Sequence, residues 1–265
     1  MQINRKIIYY AEFLYSIPIS LAYFINSSFI ASFTNEKLVG LVYSLGAIIS
    51  ILALVYASKI FRKLGGYKFL LLITFLDALS FLILALTKNT WSIVLVFILG
   101  ISLNTLIVFS LDEILKIFSK DSVTGKIRGI YIMLSNLPLI LVELLMYMTI
   151  LGKFSYSQIY FICFLTMIIF FITTFLTLKK IPDPNYDRKN ILKYIPEFFK
   201  NENLFRAFNF TFLLQFFYCS MVVYTPIYLS AYLGFSWKEI GFIFAIMLIP
   251  FLFLPISLGV YADHI

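Results

Sequence analysis

Residues 38–68 read LVGLVYSLGAIISILALVYASKIFRKLGGYK. The first 21 of these residues carry no charge and are mostly apolar. A helix rises 1.5 Å per residue, so about 20 apolar residues cross the hydrocarbon layer of a bilayer. Four basic residues then follow within ten positions, namely Lys59, Arg62, Lys63 and Lys68. An apolar run of this length that ends in a basic connection predicts a transmembrane helix.

The same pattern recurs along the whole chain and predicts eight transmembrane segments. Backbone N–H and C=O groups in hydrocarbon must be satisfied within a helix or a closed barrel. Alternating ten-residue strands are absent from the sequence, so we expect an all-α polytopic membrane protein. The predicted spans are Ile7–Ser32, Leu38–Ser58, Phe69–Leu86, Trp91–Leu111, Gly129–Ile150, Ile159–Leu178, Phe205–Ala231 and Ile240–Tyr261.

The composition excludes a soluble protein and gives no indication of nucleic-acid binding. Hydrophobic residues make up 62% of the chain and charged residues 13%, with a mean hydropathy of +0.96. Soluble domains are about 45–50% apolar. The net charge of +8 comes from basic residues in short connections, which form no continuous solvated face. We therefore expect the lipid bilayer, and no nucleic acid, as a partner.

The residues needed for common catalytic and metal sites are sparse. Cys163 and Cys219 both lie in apolar segments with no spacing that suggests a disulfide framework. The only histidine is His264, so a histidine- or thiolate-based metal site is not expected. Glycine-rich phosphate loops are also missing from the sequence. The sequence thus predicts no catalytic residues, no metal and no cofactor.

The positions of the basic residues predict the orientation in the membrane. Of the 21 lysines and arginines, only Lys37, Lys88, Lys153 and Lys238 fall in connections on one side. The other 17 precede the first segment or follow the second, fourth and sixth. Because Lys and Arg are enriched in cytoplasmic loops, we expect a cytoplasmic N-terminus and a location in the cell membrane.

A long polar stretch and a weak internal repeat suggest two units. Residues 179–204 form the longest polar connection, in which Ile191–Phe199 has the pattern of a short amphipathic helix. Residues 35–40 (NEKLVG) precede the second segment as residues 236–241 (SWKEIG) precede the last, and Tyr23 matches Tyr224 at the same offset. We expect a six-helix bundle at 1–178, a cytoplasmic loop at 179–204, and two helices of a second bundle at 205–265.

At these positions the chain resembles the major facilitator superfamily. That family has two six-helix halves and a signature Gly-x-x-x-Asp-(Arg/Lys)-x-Gly-(Arg/Lys)-(Arg/Lys) after the second helix, with a weaker copy after the eighth. Lys63, Gly65 and Lys68 fit the first copy, whereas Ser58 and Arg62 stand where the family has Gly and Asp. Gly259 and Asp263 fit the second copy, although His264 replaces a basic residue.

The resemblance implies an N-terminal fragment of a carrier whose remaining C-terminal helices are missing, because the chain stops within the second signature. The alternative is a complete eight-helix protein. The resemblance also implies that the signature acts as a conformational latch formed by Lys63, Gly65, Lys68, Gly259, Asp263 and Arg128. The unpaired N–H groups of a helix N-terminus favour an anion, so we expect Asp263 to lie beside Arg128 and Gly129.

Polar residues inside the predicted spans are candidate binding residues, because burying them in a bilayer is costly. Glu143 is the foremost, since it could bind a cation or exchange a proton; the alternative is a structural hydrogen bond. The other candidates for contact with a solute or coupling ion are amides and tyrosines, each of which could instead join neighbouring helices. They are Asn26, Asn104, Gln215, Tyr23, Tyr218 and Tyr224. We expect Asp77 to be structural and Glu12 to reach water.

The function that these observations favour is a secondary active transporter, and not an enzyme. Such a carrier moves a small solute, with or without a coupling proton or cation, by alternating access to a site near the membrane centre. Two other classes stay open at this point. One is a polytopic enzyme that acts on lipids, and the other is a membrane scaffold that does not transport.

Overall fold

The computed structural model describes residues 5–117, 124–148, 153–180 and 191–264, and every regular element in these ranges is helical. The expected all-α fold is therefore confirmed. The helices are α1 (Lys6–Phe33), α2 (Glu36–Leu64), α3 (Gly66–Leu86), α4 (Thr90–Lys116), α5 (Thr124–Tyr147), α6 (Tyr156–Thr177), α7 (Ile191–Lys200), α8 (Glu202–Cys219), α9 (Thr225–Ile227), α10 (Trp237–Leu248) and α11 (Pro250–Ala262).

Local sequence explains where several helices begin. The side chains of Asn35, Asn89, Ser155 and Ser236 each accept a hydrogen bond from a backbone N–H in the first turn of α2, α4, α6 and α10. Such caps satisfy donors that the helix itself leaves unpaired. Gly65 has φ +79°, which allows the sharp turn between α2 and α3.

The number of helices that could span a membrane is close to the predicted eight. Six stretches in the described ranges are long and apolar enough, the last being Trp237–Ala262, which combines α10 and α11. Helix α1 makes a seventh if its two arms, which meet at 42°, count as one span. The predicted span Phe205–Ala231 is instead divided into α8, a π-helical turn at Ser220–Tyr224, α9 and a second π-helical turn at Tyr228–Tyr232.

Contacts between helix ends show how the bundle is arranged. The Tyr9 hydroxyl, near the start of α1, donates to the carbonyl of Ile127, near the start of α5, at 3.4 Å. Arg128 pairs with Asp112, near the end of α4, at 3.4 Å. We call this end of the bundle the N-terminal face. At the opposite face, the hydroxyl of Ser157 on α6 donates to the carbonyl of Ala85 on α3 at 2.6 Å.

Helix α5 connects the first helices to the last ones. Helix α1 packs against α5 and α6, α3 packs against α4 and α6, and α2 packs against α4. Both α10 and α11 pack against α5. Two glycines of α5 allow the close approach to α11, since a Cβ at Gly125 would meet the carbonyl of Gly259 and one at Gly129 would meet Pro255 and Ile256.

Candidate functional site

A cavity of about 710 Å³ lies inside the bundle. Residues of α1 to α6 line it together with residues of α8, the first π-helical turn and α10. This volume is typical of pockets that hold small molecules, which span about 300–1,000 Å³. The cavity is therefore large enough to hold a small organic molecule within the membrane-spanning part of the protein.

Three acidic side chains line this cavity. Glu12 on α1, Asp77 on α3 and Glu143 on α5 are only 4%, 2% and 4% exposed. Within the described residues, one carboxyl oxygen of each has no hydrogen-bond partner. At 1.5 Å per residue, they lie about 9, 17 and 29 Å from the starts of their helices. Since α1, α3 and α5 run in the same direction, the three acids occupy successive depths between the two faces.

The sequence singled out Glu143 and left the other two acids out of the candidate site. Glu12 was expected to reach water but is buried at the cavity wall, and Asp77, which was expected to be a structural group, also lies at that wall. Position along a helix does not show which way a side chain points. The sequence did contain an indication of their position, because burying an acidic side chain within an apolar span is costly unless it faces a cavity or a partner.

Asn104 and Asn26 line the cavity, and each also joins two helices. The Tyr15 hydroxyl on α1 donates to Asn104 Oδ1 on α4 at 2.6 Å. The Tyr160 hydroxyl on α6 donates to Asn26 Oδ1 on α1 at 2.8 Å. Both tyrosines line the cavity themselves and had no place among the predicted site residues. These bonds fix α4 and α6 against α1, so the two amides have a structural role whatever else they contact.

The remaining candidates divide into two groups. Tyr23, Gln215 and Tyr218 line the cavity, but Tyr224 does not. The hydroxyl of Tyr224 instead packs against Gly40 of α2, where a Cβ would collide with it. The π-helical turn at 220–224 explains the difference, because each such turn takes an additional residue and rotates the chain after it by about 100° relative to an α-helix.

The predicted latch residues also occupy defined positions. Asp263 Oδ1 accepts the N–H of Gly125 at 2.6 Å and Oδ2 accepts the N–H of Lys126 at 2.8 Å. The carboxylate thus binds the N-terminus of α5, one turn earlier than the expected position beside Arg128. The guanidinium of Arg128 pairs with Asp112 instead. Gly259 packs against Gly125.

The first copy of the signature differs in its residues from the second. Gly65 makes the turn after α2, and Lys63 and Lys68 are exposed beside it. Since Arg62 replaces the family's Asp, this loop lacks the carboxylate that binds a helix N-terminus in the second copy. The two copies of the signature therefore differ in what they can bind.

Comparison with known proteins identifies one family. The model of the Major Facilitator Superfamily matches residues 7–265. A comparison with curated proteins gives no significant match. The matched range covers nearly the whole chain and includes every helix that lines the cavity or holds Asp263.

Proposed function

The chain belongs to the Major Facilitator Superfamily, and from this premise we propose that it carries a small solute across the membrane by alternating access to the central cavity. It is a multi-pass membrane protein, and members of its family move small solutes across lipid bilayers rather than catalyse reactions. The solute, the coupling and the mechanism below are our proposal.

The observation that carries the proposal is the position of the cavity. It lies between α1 to α6 on one side and α8 and α10 on the other, which we propose belong to two bundles with the division at residues 179–204. A cavity at such a boundary opens to one face or the other when the bundles rock. Part of the connecting loop, residues 181–190, lies outside the described residues.

The contact between Asp263 and α5 supports a conformational latch. Two hydrogen bonds to a carboxylate, made at the positive end of a helix, hold α11 against α5 at the N-terminal face. We propose that this face is cytoplasmic, on the strength of the basic residues in its connections. Breaking the two bonds then opens the cavity toward the cytoplasm.

Glu143 is our candidate for solute or ion coupling. It is buried at the cavity wall, and within the described residues its Oε2 has no partner. This favours contact with a mobile charge over a purely structural bond, because an ionised carboxylate that stays unpaired inside a protein is strongly disfavoured. Of the amides and tyrosines, Gln215, Tyr23 and Tyr218 are the ones we propose to face the solute.

A natural thiol allows a direct test of alternating access. Cys219 lines the cavity and is exposed, whereas Cys163 is buried with its thiol directed at the carbonyl of Pro18. A membrane-impermeant maleimide is applied to vesicles of each sidedness, with Cys219→Ser as the control that defines background. We expect Cys219 to react from both faces at different rates. Reaction from one face alone would refute alternating access.

A further inference from the structure

The described wall of the cavity has acidic side chains but no basic ones. The residues described as lining it carry the carboxyl groups of Glu12, Asp77 and Glu143, and all other lining side chains are neutral. The hydroxyl of Tyr131, which is 8% exposed, lies at the same wall. A wall with unpaired buried oxygens and no positive side chain among its described residues is complementary to a positively charged guest.

Aromatic rings also line this cavity. Phe81 stacks on Tyr160 with ring centroids 6.4 Å apart, and Tyr43 meets Phe97 edge to face at 5.3 Å. All four residues line the cavity. Faces of such rings attract cations within about 6 Å and also accept apolar groups. The wall therefore offers apolar contact as well as negative charge.

Asp77 is the acidic residue of the wall that lies beside one of these aromatic rings. It is one helical turn before Phe81 on α3, so both side chains are on the same face of that helix. Tyr15 of α1 lines the same cavity as Asp77. At about 17 Å from the start of α3, Asp77 is also near the middle of the membrane-spanning depth, where carriers hold their substrates.

We propose that the solute is a small organic cation, such as an amine with an apolar body, and that Asp77 is its counter-ion. This inference rests on the proposed function and specifies its substrate class. The carboxylate binds the positive charge while the rings beside it cover the apolar part. Glu12 and Glu143 then lie on either side of the solute, toward the two faces.

The geometry does not suit a metal ion or an anion. A metal ion needs several oxygens that converge within about 2.6 Å of it, whereas the three acids lie at depths of about 9, 17 and 29 Å. An anion would find only carboxyl groups and neutral groups at the described wall. An organic cation needs one carboxylate and an aromatic surface, and both are present at the cavity wall.

The test measures how far four molecules protect Cys219 from maleimide. Three have matched shapes: choline is the cation, 3,3-dimethylbutan-1-ol is its neutral isostere, and 3,3-dimethylbutanoate is the anion. The fourth, benzyltrimethylammonium, is a cation with an aromatic body. Cys219 is a suitable reporter because it lines the same cavity as Tyr23 and Tyr43. We expect one or both cations to slow labelling at least threefold at millimolar concentration, without an effect of the other two.

The variant Asp77→Asn should raise the cation concentration needed for protection at least tenfold, whereas Glu202→Gln, at an exposed position that does not line the cavity, should leave it unchanged. Each variant is also labelled without added solute. A rate equal to that of the unmodified protein shows that its cavity is intact. Equal protection by the neutral isostere, protection by the anion, or no protection by either cation overturns the cation class. Protection of Asp77→Asn at the same cation concentration as the unmodified protein overturns the role of Asp77. In each case two-sided labelling of Cys219 still stands as the separate test of alternating access.

Discussion

The substitution Asp263→Asn changes the contact at the N-terminal face with little change of shape. The carboxylate accepts the N–H groups of Gly125 and Lys126 at 2.6 and 2.8 Å. Asparagine retains one carbonyl oxygen, but its NH₂ group then faces the second N–H. One hydrogen bond is lost, and the favourable interaction of an anion with the start of α5 disappears as well.

The size of the effect follows from these two losses. A hydrogen bond to a charged group contributes about 1.5–3 kcal/mol, and an anion at a helix N-terminus contributes about 0.3–1 kcal/mol. Relaxation of the loosened ends recovers part of this, which leaves roughly 2 kcal/mol. Since 1.4 kcal/mol corresponds to a factor of ten, the ratio of open to closed molecules at this face should rise about 30-fold.

The assay is the rate of maleimide reaction at Cys219 from each membrane face. In Asp263→Asn we expect faster reaction from the N-terminal face and slower reaction from the opposite face. The matched control is Glu202→Gln, because Glu202 is 85% exposed in its pair with Arg206. Rates in Asp263→Asn that agree with those of the control would refute the latch, and a rise at both faces would indicate a loosened protein instead of a shifted equilibrium.

Two further substitutions test the packing that holds the cavity. Gly125→Ala places a methyl group against a carbonyl of α11, so it should open the N-terminal face as Asp263→Asn does. The control is Gly100→Ala, whose methyl group meets nothing within 4 Å, and it should leave the rates of Cys219 labelling unchanged. Equal rates for the two glycine variants would contradict the close approach of α5 and α11. Tyr15→Phe removes the bond to Asn104 and should cost about 1 kcal/mol, which lowers Tm by about 2–4 °C, while Tyr228→Phe at an exposed position should not change Tm. A Tm for Tyr15→Phe equal to that of Tyr228→Phe would show that this bond is energetically neutral.

The fold was predictable because hydrocarbon imposes a simple rule on sequence. Long uncharged runs such as 38–58 have to become helices, and α2 occupies Glu36–Leu64 accordingly. The start of α5 was predicted five residues late, at Gly129 rather than Thr124. The first turn is polar and is held from outside by Asp263, a long-range contact that local hydropathy does not register.

The site was only partly predictable, because the direction of a side chain depends on helix rotation. Glu143 was found from its charge within an apolar run, and Asp77 could have been found by the same criterion. It was expected to be structural, and the structure shows in addition that it lines the cavity. Tyr224 is a candidate that does not line the cavity; it lies in a π-helical turn, which sequence periodicity does not register.

The glycines along α5 have a consequence for the speed of any motion at this contact. Gly125 and Gly129 place bare backbone against α11, so at these two positions α5 has no side chain to withdraw and repack when the helices part. The carboxylate of Asp263 adds two hydrogen bonds to the same contact, and these must break when the helices part. The hydrogen bonds of Asp263 and the close backbone packing at the glycines thus involve different atoms of the α5–α11 contact. A single substitution at Asp263 can therefore change the strength of the contact without changing the packing at Gly125 and Gly129.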